Sequence, residues 1–130
     1  MTTPVGTEVD VVEVRTPADV VYVSTLRLTA ASLASRCDLT IDDIEDLRLA
    51  VDEACALLLP HASASSSLTA RFEVGAGELR VHSTVSTSGE SQPDRDGFAW
   101  TVLGALATDV AVDATPDSLT ISVVKKREPR

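Results

Sequence analysis

The chain has 130 residues, enough for one domain with a modest hydrophobic core and no need of disulfide or metal staples. Apolar residues make up 44% and charged residues 24%, an ordinary globular balance that implies no long disordered tract. With 20 acidic against 11 basic residues, net charge −9, the chain has no electrostatic reason to hold a phosphate backbone. Direct nucleic-acid binding is therefore not expected, and a basic protein partner is easier to accommodate.

In chain order, residues 1–7 are small and polar and read as a flexible arm, with neither the basic region nor the apolar core of a signal peptide. No run approaches the ~20 apolar residues that span a bilayer, so a cytoplasmic protein without a membrane partner is the expectation. Glu8 to Arg15 mixes valines with acids at close to the period of a half-buried strand. Thr16-Pro17-Ala18-Asp19 then reads as a helix start, with Thr16 as N-cap and Pro17 in the first helical position. The helix runs to about Arg36 and lines up Val20, Val23, Leu26, Ala30 and Leu33 on one face.

A short connection, Cys37 to Leu39, leads into the most strongly patterned stretch of the chain, Thr40 to His61. Ile44, Leu47, Val51, Ala54 and Leu58 recur at steps of three and four along one helix face. Thr40 with Asp43 is a capping-box-like start, Asp42 and Asp43 place negative charge on the positive end of the helix dipole, and Pro60 marks the stop. In the second half, Asp52 and Glu53 are the only charges from Leu49 to Leu59. Glu53 points away from the main stripe, with Leu49 and Leu57 one turn to either side. Two readings stay open for it: a solvated glutamate on a largely buried helix, or a carboxylate in apolar surroundings suited to accept a proton.

His61 to Ser67 is a small, polar loop. Leu68 to Val74 and Leu79 to Val85 alternate apolar and polar residues as two strands joined by a hairpin turn at Gly75-Ala76-Gly77. Thr87 to Arg95 is a loop of turn formers, and Gly97 to Val110 reads as a helix with Phe98, Val102, Ala105 and Leu106 inward. Ser118 to Val124 is the last strand, and residues 127–130 belong to a charged tail. Residues 8–126 thus form a single domain of order β-α-α-β-β-α-β. An α/β two-layer sandwich is expected, with a mainly antiparallel four-stranded sheet and three helices on one face. One apolar helix face and the first strand would remain to be covered, and a homodimer through these elements would cover them.

Cys37 and Cys55 do not form a metal or redox spacing, and Cys55 reads as a small buried hydrophobe. No metal site is expected. His61 lies just past a helix end, where it can meet the last carbonyls, and His82 falls on an exposed strand position. Trp100 reads as a core or interface residue, and Gly89-Glu90-Ser91 as part of a turn-rich loop rather than a nucleophile elbow.

The segment from Arg27 to Cys55, RLTAASLASRCDLTIDDIEDLRLAVDEAC, resembles the anti-sigma factor serine kinases of the partner-switching systems. These belong to the GHKL ATPase superfamily, with the Bergerat, or histidine-kinase-like ATPase, fold. A second, weaker match, Asp96 to Val112, falls where that family carries its second glycine motif and last helix. The resemblance implies that fold over nearly the whole chain. It also implies a glutamate and, four residues later, an asparagine on the central helix, one activating the attacking hydroxyl and the other holding Mg²⁺. Glu53 keeps the first, whereas Leu57 stands in the second position and cannot ligate a hard cation. The adenine-binding aspartate and the glycine two residues on correspond to Val85 and Thr87. The phosphate-cradling Gly-x-Gly reads Gly97-Phe98-Ala99, one glycine kept. The nucleotide lid is reduced to the short stretch 86–96.

The resemblance thus implies an anti-sigma factor that sequesters an alternative sigma subunit of RNA polymerase, forms a homodimer and is released by an anti-anti-sigma antagonist. Glu53 and Gly97 become vestiges of a lost kinase site, no cofactor is expected, and Arg27 matches an arginine that contacts sigma in the family. The alternatives are an active serine/threonine kinase using ATP-Mg²⁺ on the antagonist, and a dimeric adaptor that binds only an anti-anti-sigma-like protein.

Overall fold

The structure is a computed structural model that describes residues 9–93 and 95–127. The expected arm, residues 1–7, and residues 128–130 of the tail lie outside the described residues. A five-stranded antiparallel sheet of order β1-β2-β3-β5-β4 carries three α-helices on one face. Its strands are β1 (Asp10–Pro17), β2 (Ser67–Gly75), β3 (Glu78–Ser86), β4 (Asp109–Ala114) and β5 (Ser118–Lys126), and its helices α1 (Val23–Ala34), α2 (Ile41–Leu58) and α3 (Phe98–Leu106). The two-layer sandwich agrees with expectation; the fifth strand does not.

β4 takes the last two residues of the segment read as one helix, Gly97 to Val110, and runs on to Ala114. The last helical bond runs from Ala107 N to Leu103 O at 3.0 Å, after which Thr108 N donates to Val124 O at 2.8 Å and the chain joins the sheet edge. Val110 and Val112 then fall in register with Val123 and Ile121 on the helix-facing side, while Asp109 and Asp113 are exposed. β-branched residues alternating with acids favour a half-buried edge strand over a further turn of helix. The shorter α3 also changes what faces inward: Leu103 is its buried residue, Ala105 is exposed, and Phe98, expected inside, is 81% exposed at the first helical position.

The start of the first helix is corrected as well. β1 runs on through Pro17, which an edge strand tolerates at its last residue. Asp19 is the cap, its carboxylate accepting from Val21 N at 3.0 Å above a single 3₁₀ turn, Val20–Tyr22, that leads into α1. Val20 therefore sits outside the core at 75% exposure, and α1 ends at Ala34 with Leu26, Ala30 and Ala34 buried.

α2 forms as its pattern requires. Thr40 Oγ1 accepts from Asp43 N at 3.1 Å and Asp43 Oδ2 accepts from Thr40 N at 3.2 Å, a complete capping box. Leu47, Ala50, Val51, Ala54, Cys55 and Leu58 are buried, and Ile44 half-buried. α1 packs on one flank of α2 and α3 on the other. Beneath them the inner sheet face supplies Leu68, Phe72, Val81, Val85, Leu119 and Ile121 to one core. The β2–β3 turn is tighter than expected, two residues with Gly77 at φ +74, a conformation that suits glycine.

Candidate functional site

Two sides of α2 carry the residues singled out above, and they are different sides. Lys125, buried near the end of β5, donates to Asp46 Oδ2 at 3.2 Å and to the Leu106 carbonyl at 2.9 Å. The flank of α2 that bears Asp46 therefore faces the end of α3. Glu53 lies two helical turns further along that flank, and Leu57 one turn beyond it. Both are half-buried, and among the described residues no side chain bonds to the Glu53 carboxylate. Glu53 and Leu57 thus share the flank of α2 that carries Asp46.

The remaining positions of the inferred nucleotide cleft follow from the sheet. Val85 is fully buried on the inner face, between Leu68 and Leu119 in register. Thr87 is buried just past β3; its amide donates to Asp117 O at 3.0 Å and its hydroxyl has no partner. Gly97 caps α3 in extended conformation without a side-chain cap bond. Arg95 stacks over Trp100, its guanidinium carbon 5.5 Å from the ring centroid. Trp100 itself is half-buried against the core. These residues do not fit an ATP-Mg²⁺ complex. Leucine ligates no hard cation, valine presents no acceptor to an adenine amino group, and a largely exposed phenylalanine follows the one retained glycine. Among the described residues, no three His, Cys, Asp or Glu side chains gather as a metal-ligating group.

On the opposite flank, α1 and the 3₁₀ turn form a groove of about 330 Å³ with α2. Val20, Val21, Ala56 and Leu59 give it apolar walls, and Arg27 with Asp52 gives it a charged floor. Arg27 Nη1 contacts Asp52 Oδ2 at 3.1 Å and Oδ1 at 3.3 Å, while its Nε is buried without an acceptor. Both side chains are about a third exposed, so the pair contributes little to stability. Arg27 was legible as a candidate; Asp52 as its partner was not, because 25 residues separate them and only the packing of α1 on α2 joins them.

His82 departs from its expected exposure. It is half-buried on the outer sheet face, with Nδ1 2.7 Å from Ser122 Oγ and Nε2 3.4 Å from Glu73. His61 lies in the short 3₁₀ turn Leu59–His61 that follows α2. No helix among the described residues is long and apolar enough to cross a membrane.

The comparisons with known proteins agree with this architecture. The serine-protein kinase RsbW of Bacillus velezensis is 40% identical over 89 residues, covering 66% of this chain and 54% of that protein. RsbW of Bacillus subtilis is 39% identical over 85 residues, covering 63% and 52%. The chain spans about half the length of the curated relatives it matches. The crystal structure of the RsbU and RsbW domains of Rv1364c from Mycobacterium tuberculosis superposes with a TM-score of 0.67 at 15% identity, covering 93% of this chain and 34% of that one; this likeness is one of fold. The profile of the histidine kinase-like ATPase domain matches residues 16–125. With that match running from the end of β1 through all three helices into β5, the chain belongs to the histidine kinase-like ATPase domain family, and within it resembles the serine-protein kinases of the RsbW type.

Proposed function

We propose that this protein is a cytoplasmic, homodimeric anti-sigma factor that sequesters an alternative sigma subunit, is released by an anti-anti-sigma antagonist, and has lost nucleotide binding and kinase activity. The observation that carries the reading is the contrast between the two flanks of α2. Leu57 on the α3 side of α2, and Val85 beneath the helices on β3, replace the groups that would hold metal and adenine. On the α1 side, the groove keeps a buried, unpaired donor, Arg27 Nε, between apolar walls. The Arg27–Asp52 pair, with each side chain about a third exposed, offers a partner its remaining guanidinium and carboxylate surface. Arg27 is thus the proposed sigma contact, and Glu53 and Gly97 are vestiges.

The test mixes purified protein, sigma subunit and antagonist with labelled ATP. Sigma is expected to bind without ATP, and Arg27→Ala to weaken that complex by about tenfold or more with little loss of stability. Antagonist and sigma should exclude each other equally with and without nucleotide, since coupling requires a ligand that distinguishes the two states. Calorimetry should find no ATP-Mg²⁺ binding tighter than roughly millimolar, an affinity of about 4 kcal/mol. A labelled antagonist serine whose label disappears with Glu53→Ala would overturn the loss of kinase activity. It would favour the second reading, an active serine kinase, to which the retained Glu53 and the RsbW relatives' name lend support. Capture of antagonist but never of sigma would leave an adaptor instead.

A further inference from the structure

The face of the sheet turned away from the helices carries a site that the reading above does not use. The strand register sets Arg15, Thr69, Thr84 and Thr120 side by side across β1, β2, β3 and β5. The next row holds Ser67, Ser86 and Ser118. At the β2 end of these rows the loop before β2 folds back over the sheet. Ser63 N donates to Ser86 O at 2.8 Å, Ala18 N donates to Ser66 O at 3.0 Å, and Ser65 takes a left-handed conformation with φ 62. The result is an open pocket of about 300 Å³ lined by Arg15, by Ser65, Ser66 and Ser67, and by Ser86 with Thr69 and Thr84.

Three features give the pocket a definite chemistry. Among the described residues no carboxylate lines it, in a chain of net charge −9. Arg15, like Arg36 and Arg95, forms no ion pair among the described residues, whereas Arg27, Arg48, Arg71, Arg80 and Arg127 do. Its side chain is exposed, and its Nε donates to Ser67 Oγ at 3.0 Å beside the pocket. Ser66 Oγ is buried with no partner, a hydroxyl with its bonding capacity unused. An unpaired guanidinium beside several hydroxyls, with no carboxylate among the described lining residues, suits an acceptor-only, multiply charged group.

We propose that this pocket binds a single phosphoryl group. The overall negative charge excludes a polyanionic chain, so the ligand is one phosphate rather than a nucleic-acid backbone. The volume equals roughly ten water molecules, more than a bare phosphate fills, and the pocket is open. A phosphoryl group can therefore enter while still attached to a serine side chain. The site lies on the opposite face of the sheet from α1 and α2, so its failure and that of the sigma-binding proposal are separable.

The experiment is a titration of the isotopically labelled full chain followed by backbone amide chemical shifts, with sodium phosphate in one arm and sodium chloride at equal ionic strength in the other. Saturable shifts at residues 65–67, 69 and 86 are expected with phosphate only. Arg15→Gln should weaken binding by about tenfold or more, and Ser66→Ala by a few-fold. The amide spectrum reports whether each variant is folded, and Arg15→Lys, which keeps the charge but not the fork, should retain part of the affinity should Arg15→Gln fail to fold. A third arm uses acetyl-Gly-phosphoserine-Gly-amide. Tighter binding than inorganic phosphate identifies a phosphoprotein as the source, and equal binding identifies the free anion. Identical shifts with phosphate and chloride, or full affinity in Arg15→Gln, would overturn the proposal.

Discussion

Cys55 is fully buried on α2. Burial, helped by the nearby charge of Asp52, pushes its thiol from 9.0 up to about 12. The raised value means that the folded chain holds a proton which the unfolded chain releases above pH 9. The stabilisation is therefore complete below pH 9 and is lost as pH rises from 9 toward 12. Unfolding free energy measured in urea should fall across that window, and the fall should be shallower in Cys55→Ala; identical slopes would remove the assignment. At pH 8 the native thiol should resist alkylation, because it is both protonated and enclosed. Residues of this kind were readable from their apolar neighbours alone. The Arg27–Asp52 pair, the free hydroxyl of Ser66 and the Arg15 pocket were not, because each depends on which strands and helices become neighbours.

Among the elements, α2 was fully legible: its stripe has helical period, its cap has matched residues at both ends of the box, and Pro60 ends it. Removing the cap tests that account. Thr40→Ala leaves Asp43 N and the rest of the first turn short of an acceptor, and should cost about 1 kcal/mol in urea unfolding with an unchanged denaturant slope. No loss would mean that packing alone sets the start of α2. α3 and β4 were not legible as two elements. From Phe98 to Val112 apolar residues occupy nearly every position, so neither period stands out and only the sheet edge decides where helix gives way to strand. The start of α1 was misread for a related reason, since Thr16-Pro17 satisfies both a helix start and the end of an edge strand.

At the scale of the whole molecule, the helices cover one sheet face and leave apolar side chains around β1 and α1. Val9 and Val11 are about half exposed, and Val20, Val21 and Leu28 at least 60% exposed. Val9, Val11 and Leu28 belong to the surface proposed for the homodimer, while Val20 and Val21 wall the groove beside Arg27. Sedimentation at micromolar concentration should give a dimer, and Val11→Lys should shift it toward monomer by about tenfold or more in dissociation constant, since a charge on an edge strand opposes strand-to-strand pairing. A native protein that runs as a clean monomer would remove the dimer. The order β1-β2-β3-β5-β4 gives this surface a further property. The two rims of the sheet differ: β1 offers eight residues, with Val11 and Arg15 exposed between Asp10, Glu13 and Pro17, whereas β4 is six residues long, and its exposed charges, Asp109 and Asp113, are both acidic. A dimer of the proposed kind would join β1 to β1 about a two-fold axis, because pairing β4 with β4 would set acid against acid. Both β4 strands would then be left as the outer rims of a continuous sheet, where their like charge opposes the addition of a further copy.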